Sequence, residues 1–224
     1  GTNRAIEKAK NHGMAVMVSR NHGHFGAAGL YTRMTLEHDL ITYVTSGAQS
    51  NLQPATSILR AGSGSPMSFS APAGDEDPLV LDFGVMHDMY GPHGDDLSKL
   101  APGLVLRCIG MGEICQSWGA LLSGLTVSHE SPRWTFPGAN QGSMLFTFRI
   151  DLFLDPASFK KELDEFVRRV RQLKPLEGFD QAYVAGGIEA TRDRQYRQEG
   201  VPVGPEHQHN LERVAQELGI TVPW

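Results

Sequence analysis

The chain has 224 residues, which is enough for one large domain or for two small lobes that share a core. Hydrophobic residues make up 40% of the sequence and charged residues 20%, as in an ordinary soluble globular protein. With a net charge of −5 and dispersed lysines and arginines, the chain has no electrostatic footprint for nucleic acid or an anionic membrane, and we expect neither as a partner.

The chain begins with a predicted helix that buries Ala5, Ile6 and Ala9 and ends at Gly13. Because the chain starts directly at such a helix, we expect that upstream residues are missing or have been cleaved. Residues 14–18 follow as a short continuous apolar run, which predicts a buried strand.

Three further segments complete the N-terminal pattern. A polar, glycine-rich loop at residues 19–26 leads into a helix over residues 27–38, and residues 40–44 return as a strand. The alternation of helices and strands is typical of an α/β architecture.

The middle of the chain is predicted to combine strands with loops. Strands are predicted at residues 67–71, 79–83, 103–109 and 143–150, the last with the strongest β signal. The other segments are predicted to be irregular at residues 46–66 and 86–100 and helical at residues 117–125.

The C-terminal third is predicted to be mostly helical. Asp155 and Pro156 supply an N-cap followed by proline at the first helical position, and this helix ends before Pro175. A polar helix is expected at residues 189–198, and a last helix begins near Pro205.

The cysteine content indicates a reducing compartment. Cys108 and Cys115 are the two cysteines of the chain, too few for a disulfide framework and without the CxxC pairs of a zinc site. No apolar run reaches membrane-spanning length, and the first residues lack the apolar core of a signal peptide. We therefore expect a soluble, cytoplasmic protein.

The loop at residues 20–26 holds the candidate chemistry. Its backbone amides precede a helix and can face a ligand, and a histidine there titrates near neutral pH, so it could exchange a proton with a hydroxyl or carbonyl group. Arg20 could bind a carboxylate. Alternatively, His22 and His24 only form hydrogen bonds with loop carbonyls. A further alternative is that they are two metal ligands, but no third ligand has a convincing spacing, and we expect no metal.

The same loop carries a family resemblance. Residues 18–31 read VSRNHGHFGAAGLY and resemble the Asn-x-x-His-Phe-Gly-x-Ala-Gly-x-Tyr signature of the malate/L-lactate dehydrogenase-like oxidoreductases, which include ureidoglycolate, sulfolactate and malate dehydrogenases and some cyclic-imine reductases. Weaker similarity continues at residues 66–74, 79–82 and 137–142, in the helix after Asp155 and in the turn at residues 186–189.

The resemblance implies a fold and a reaction. The fold class is α/β (α+β mixed), with a non-Rossmann mixed sheet flanked by helices. Family members transfer hydride between NAD or NADP and C2 of a small 2-hydroxy or 2-oxo acid, and they are usually homodimers. His24 matches the histidine of the His-Phe-Gly motif and would take the hydroxyl proton as hydride leaves.

The resemblance also assigns binding roles. Residues near the organic acid substrate would be Arg20, Asn21 and His22. Residues near the cofactor would be Ser46, Gly47, Asp82, Phe83, Gly84 and Gly186. Asp82, at a strand end, is a candidate for a ribose hydroxyl or for a supporting role, and it could equally be a turn former.

Several family features are altered in this chain. The cofactor turn Met-Ala-Thr-Ser is replaced by Phe-Gly-Val-Met at residues 83–86, and a lysine-containing segment is replaced by residues 112–121, which hold no lysine. Either residues are absent from this chain or this member has lost part of its nicotinamide site. A non-redox lyase, isomerase or organic acid binder, or an inactive fragment, therefore remain alternatives to a dehydrogenase.

The domain organisation follows from the same pattern. We expect a single catalytic region over residues 1–224 that lacks a family N-terminal segment. Residues 46–150 are expected to form the cofactor-side lobe, and residues 151–224 a helical part that packs back on the first lobe.

Overall fold

The computed structural model describes residues 1–62, 64–90, 94–127, 138–222 and 224, which fall into two units, residues 1–186 and 187–224. Of the sequence segments considered above, Pro137 and residues 91–93 lie outside the described residues.

The first unit is built on one five-stranded sheet. Its strands are β1 (Met14–His22), β2 (Leu40–Ala48), β3 (Pro66–Ala71), β4 (Leu79–Gly84) and β5 (Gln141–Arg149). They lie in the order β1-β5-β2-β3-β4, and every neighbouring pair is antiparallel. The predicted class, a non-Rossmann sheet flanked by helices, is confirmed, with antiparallel pairing throughout the described sheet.

Helices flank this sheet. In the first unit they are α1 (Thr2–His12), α2 (Ala28–Arg33), α3 (Leu59–Gly62), α4 (Gly94–Leu100), α5 (Pro102–Cys115) and α6 (Pro156–Arg171). Short 3₁₀ turns occur at Leu36–His38, Asp88–Tyr90 and Ile150–Leu152, and α5 continues into a π-helix at Gln116–Leu121. The second unit consists of α7 (Gly187–Glu199) and α8 (Pro205–Leu218). No helix in the described part of the chain is long and apolar enough to span a membrane.

Two apolar clusters hold the first unit together. On one side of the sheet, Ile6 and Ala9 of α1 pack with Leu40, Val44 and Leu145. The second cluster packs α5 against the sheet and is formed by Met67, Met86, Val105, Ile109 and Cys115, with smaller neighbours. Burying one such aliphatic side chain contributes about 1.5–3 kcal/mol, so these clusters are the main source of stability around the site.

Residues 14–18 form the predicted strand, but the prediction that this strand is buried is wrong. β1 lies at the edge of the sheet, and Met14, Val16 and Val18 are 51%, 57% and 41% exposed. The alternate residues Ala15 and Met17 face the cluster that contains α1. β1 also extends to His22, so Arg20, Asn21 and His22 belong to the end of a strand rather than to a loop.

The prediction of a strand at residues 103–109 is also wrong, because these residues belong to α5. Pro102 occupies its first turn, and Val105, Ile109, Gly112 and Cys115 are buried at helical spacing. The helix expected at residues 117–125 is present in part, as the π-helix that follows α5.

A network of buried hydroxyl groups fixes α2 to the sheet. The Thr35 and Thr42 hydroxyl oxygens lie 2.6 Å apart, and those of Thr42 and Thr147 lie 2.7 Å apart. Thr32 of α2 shares a 2.8 Å hydrogen bond with Ser68 of β3. Because buried hydroxyls are costly when unpaired, these bonds restrict how α2 can sit on the sheet.

One buried carboxylate connects α6 to the loop that follows β3. Asp164 is 5% exposed and accepts hydrogen bonds from the backbone N–H groups of Gly74, Asp75 and Glu76 at 2.9–3.1 Å. Burial acts to raise the pKa of Asp164, but the three N–H donors outweigh it and hold the pKa below its usual value.

Candidate active site

The end of β1 and the segment at residues 23–26 that follows it are shaped by two residues with positive φ. Asn21 has φ 56° and Gly26 has φ 80°, and a side chain at Gly26 would be strained in that conformation. Phe25 stacks on Tyr31 of α2 with ring centroids 5.2 Å apart, and the Tyr31 hydroxyl donates to the Phe25 carbonyl at 2.6 Å. The segment is therefore anchored to α2, which the hydroxyl network holds on the sheet.

His24 is exposed in this segment, and one of its ring nitrogens already has a partner. The backbone N–H of Gly26 donates to His24 Nδ1 at 3.1 Å. Nδ1 is therefore an acceptor, and the proton of the neutral ring lies on Nε2. The partner of His24 Nδ1 is an amide N–H. This contact is therefore different from the hydrogen bond to a loop carbonyl that the alternative interpretation expected.

His24 lines two cavities. The first cavity, of about 390 Å³, is also lined by Ser19, Arg20, His22 and Tyr31. The second, of about 410 Å³, lies towards the carboxyl end of β4. Of the residues that sequence reasoning placed near the cofactor, five line this second cavity: Ser46, Gly47, Asp82, Phe83 and Gly84.

In the first cavity, His22 and Arg20 occupy different positions. His22 Nδ1 lies 2.8 Å from the Gly23 carbonyl, and His22 Nε2 is buried without a hydrogen-bond partner among the described residues. Arg20 is exposed, and its guanidinium lies 3.8 Å from the position that a Cβ on Gly124 would take. Asn21 lines neither cavity, and its Oδ1 is buried without a partner among the described residues.

In the second cavity, Asp82 presents an exposed carboxylate beside α2. It lies opposite Ser68 in the β3–β4 pairing. An ideal Cβ on Gly29 would lie 2.6 Å from Asp82 Oδ2, so the close approach of α2 and β4 requires glycine there.

Ser46 and Gly47 are held by the strand ends and by the π-helix. The Ser46 hydroxyl donates to the Gly142 carbonyl at 2.9 Å, and Ser46 is 1% exposed. A Cβ on Gly47 would lie 2.5 Å from Gln116 Oε1 and 2.8 Å from the backbone nitrogen of Ala120. This corner of the cavity therefore offers backbone surface to a ligand, while the Ser46 hydroxyl is already engaged.

Gly186 lies outside both cavities, although it contacts the strand that carries Asp82. Its φ is 83°, and a Cβ on it would lie 2.7 Å from the Val80 carbonyl oxygen. The neighbouring Ala185 carbonyl accepts a hydrogen bond from Val80 N–H at 3.1 Å.

Sequence reasoning did not assign roles to four residues that shape this site. Ser65, His87 and Gln141 line the second cavity. Gln116 of the π-helix bonds to the backbone N–H and C=O of Ala48 and to the Ser50 hydroxyl. In the sequence, His87 directly follows the expected cofactor turn at residues 83–86. This closeness in sequence was the one signal that could have identified His87 as a site residue.

The residues that line the second cavity are compatible with a nicotinamide riboside. Its wall consists largely of small residues, including Gly26, Ala27, Ala28, Gly47 and Gly84, and Asp82 can accept hydrogen bonds from ribose hydroxyls. Among the residues that the structure describes, no three His, Cys, Asp or Glu side chains are arranged to hold a metal ion.

Comparison with known proteins places the chain among dehydrogenases. The sequence profile of the malate/L-lactate dehydrogenase family matches residues 1–89 and 100–212. The L-sulfolactate dehydrogenase of Methanocaldococcus jannaschii is 24% identical over 97% of this chain and 71% of its own length. The L-lactate dehydrogenase of Cupriavidus necator is 25% identical over 98% of this chain and 72% of its own length. The solved malate dehydrogenase of Pyrococcus horikoshii OT3 superposes with a TM-score of 0.78 at 19% identity, over 98% of this chain and 70% of that one.

Proposed function

The chain belongs to the malate/L-lactate dehydrogenase family, and we propose that it transfers hydride between NAD or NADP and C2 of a small 2-hydroxy or 2-oxo acid, or of a cyclic imino acid. Membership of this family makes it an enzyme of the 2-hydroxy-acid dehydrogenase type. The observation that carries the finer proposal is that His24 lines both cavities. In this arrangement the organic acid occupies the first cavity and the nicotinamide end of the cofactor the second.

Each cavity offers groups that suit its proposed occupant. Arg20 in the first cavity is the cation for the substrate carboxylate, and His22 Nε2 is a buried polar atom that a substrate oxygen could satisfy. Asp82 in the second cavity accepts from ribose hydroxyls, and the residues Phe83 and Gly84 form part of the wall. When bound, the nicotinamide supplies a hydride donor or acceptor, which the side chains of this chain cannot supply.

His24 handles the proton that accompanies hydride transfer. Because Nδ1 accepts from Gly26 N–H, the neutral ring presents Nε2–H and can donate a hydrogen bond to a 2-oxo oxygen. To accept a hydroxyl proton at Nε2, the ring must carry its own proton on Nδ1, and the contact with Gly26 must then be given up. The reverse step starts from the doubly protonated ring, which also carries a proton on Nδ1, so proton transfer in either direction requires a small movement within residues 24–26.

The test is an assay of nicotinamide absorbance with NADH or NADPH and a panel of 2-oxo acids and cyclic imines. His24→Asn should lower kcat by about 10²–10⁴-fold, because general acid–base catalysis is lost, while the nucleotide still binds. His207→Asn, an exposed histidine of α8, is the matched control and should leave the rate unchanged. Flat traces for every substrate pair, or full activity of His24→Asn, would refute the proposal.

A thermal-shift experiment separates this function from the non-redox alternative. Stabilisation by an organic acid, with no stabilisation by any nicotinamide nucleotide, would favour a lyase, an isomerase or an organic acid binder. Stabilisation by NAD, NADP or their reduced forms supports the dehydrogenase.

We also propose that the protein is a homodimer. Val16, Phe146, Tyr43, Phe69 and Leu81 lie opposite one another in register across the five strands and so share one face of the sheet. Of these apolar side chains, Val16, Phe69 and Leu81 are 41–57% exposed, and in the proposed dimer a second chain covers them. Light scattering should give twice the chain mass, and a mass equal to one chain at every concentration would exclude the dimer.

The proposed compartment is the cytoplasm. Both Cys108 and Cys115 are free thiols in the structure, as expected for a protein kept in reducing surroundings.

A further inference from the structure

A third cavity lies beside the cavity that contains Asp82 and has a different chemical character. It measures about 410 Å³, and its lining is polar: Ser50, Asn51, Thr56, Arg60, Gly64 and Tyr90. Amide, hydroxyl and guanidinium donors converge there without a carboxylate among the described lining residues. Such a donor set suits an anionic ligand.

Arg60 is the cation of this third cavity. Within the described part of the chain it makes no hydrogen bond and no ion pair, so its guanidinium is available to a ligand. Most other described arginines of the first unit form ion pairs with carboxylates. Arg149, for example, pairs with Asp151, and Arg171 pairs with Glu76.

Arg60 is carried by an anchored element. α3 packs against α5, where a Cβ on Gly112 would lie 2.5 Å from the Gly62 Cα. The Tyr90 hydroxyl donates to the Leu59 carbonyl at 2.9 Å, which ties α3 to the turn after β4. Burial raises the pKa of Tyr90, and Arg60 opposes this, as expected for a guanidinium close to the phenol oxygen.

The third cavity adjoins the Asp82 cavity at Gly64, which lines both. A Cβ placed on Gly64 would meet no atom of the described residues within 4 Å, so these residues leave the junction open. The Asp82 cavity itself has no lysine or arginine among its described lining residues. If the nicotinamide ring of a dinucleotide lies beside His24, the Asp82 cavity offers no cation among its described residues to bind the phosphates. Arg60 provides such a cation in the adjoining cavity.

We propose that the third cavity binds the pyrophosphate of the nicotinamide dinucleotide, with Arg60 as the phosphate-binding residue and Gly64 as the passage for the ribose. The proposal rests on the dehydrogenase function proposed above. A substrate carboxylate is a less suitable occupant, because it is bonded directly to the reacting carbon and must stay within reach of His24. The pyrophosphate is separated from the nicotinamide ring by a ribose, which matches two adjoining cavities.

The test measures binding rather than turnover. The protein is titrated with NADH and with NADPH by nicotinamide fluorescence, with ADP-ribose by displacement, and with reduced nicotinamide riboside, which carries no phosphate. Arg60→Gln should weaken NADH, NADPH and ADP-ribose by about 10–100-fold, the usual effect of losing hydrogen bonds to a charged group, and should leave nicotinamide riboside unchanged. Arg107→Gln, an exposed arginine of α5 outside these cavities, is the matched control and should leave all four affinities unchanged.

A second variant tests the passage. Because an ideal Cβ on Gly64 meets no described atom within 4 Å, Gly64→Leu should be accommodated and should block the junction, with weaker binding of NADH. Salt should weaken NADH binding to the wild type more than to Arg60→Gln, because a screened charge pair is lost in the variant.

The outcomes separate this inference from the function on which it rests. Wild-type protein that binds no nicotinamide nucleotide would overturn both. If Arg60→Gln binds NADH as tightly as the wild type does, the phosphate site alone is overturned. The same holds if Arg60→Gln loses affinity only for NADPH, or loses as much affinity for nicotinamide riboside as for NADH.

Discussion

Replacing Gly29 by alanine should disturb the contact between α2 and β4 that positions Asp82. The new Cβ would lie 2.6 Å from Asp82 Oδ2 and 3.0 Å from both Asp82 Cγ and Asp82 Cβ. Rotation of the Asp82 side chain can relieve the contact with Oδ2, but its Cβ is fixed to β4, so the two elements must separate.

The magnitude follows from two opposing effects. Overpacking of this kind costs about 1–3 kcal/mol, and alanine recovers up to about 1 kcal/mol over glycine within a helix. We therefore expect Gly29→Ala to lower the free energy of unfolding by about 1–2 kcal/mol. For a chain of this size the melting temperature should fall by about 2–8 °C.

Thermal and denaturant unfolding measure this change, and two further variants make the reasoning specific. Gly110→Ala in α5 is the matched control, because a Cβ there meets nothing within 4 Å, and it should raise stability by about 0.5–1 kcal/mol. In an Asp82→Ala background the loss caused by Gly29→Ala should shrink by about 1 kcal/mol. An equal loss in both backgrounds, or a Gly29→Ala protein as stable as the wild type, would show that the contact does not matter.

Two more predictions concern buried polar groups. Asp164→Asn should cost about 2–3 kcal/mol at neutral pH, because one of its oxygens becomes an NH₂ group facing the N–H donors of residues 74–76. The pKa of Asp164 is lowered in the folded protein, so this stabilisation is present above the unfolded-state pKa of about 3.9 and is lost as pH falls through the folded value. The difference in melting temperature between wild type and Asp164→Asn should therefore narrow in acid. A difference that stays constant with pH would show that the charge of the carboxylate does not stabilise the fold. Gln116→Ala should lower the free energy of unfolding by about 1–3 kcal/mol and weaken NADH binding, because Ala48 N–H loses its acceptor and the Ser50 hydroxyl loses its hydrogen bond to Gln116. If unfolding and NADH binding are both unchanged, Gln116 does not hold this part of the site.

Local sequence signals predicted the C-terminal helices well. α6 begins after Asp155, whose side chain accepts from Ser158 N–H at 2.8 Å, and Pro156 occupies its first turn. A cap and a helical period depend on neighbours in the chain, so no tertiary information is needed to recognise them.

Strand β1 and helix α5 show where local signals fail. A short apolar run such as residues 14–18 has the same appearance in a central strand as at a sheet edge, because its burial is decided by β5 and α1. Residues 103–109 are apolar enough for a strand, and only the packing of Val105 and Ile109 against Met67 and Met86 selects the helix.

The candidate site could be predicted in part. His24 was identified from its own segment, and Asp82 from the family resemblance. That the two line one cavity depends on α2 lying against β4, which is a contact distant in sequence. His87 and Arg60 gave no comparable signal, because both lie in stretches that sequence patterns describe only as irregular.

The threonines beneath α2 form a chain of donors with a fixed direction. Thr35 donates its single proton to the Thr32 carbonyl at 2.7 Å, so Thr42 donates to Thr35 and Thr147 in turn to Thr42. The Thr147 hydroxyl has a second acceptor, the Ile41 carbonyl, at 3.2 Å. Removing the hydroxyl of Thr147 would therefore deprive Thr42 of one incoming hydrogen bond and the Ile41 carbonyl of a possible donor, and it would leave no proton without an acceptor. Without the Thr35 hydroxyl, the Thr32 carbonyl would keep the Ser70 hydroxyl and the Thr35 N–H as donors. Thr42 could then donate to Thr147 and Thr147 to the Ile41 carbonyl, so a single valine should be tolerated at either end of the chain of donors.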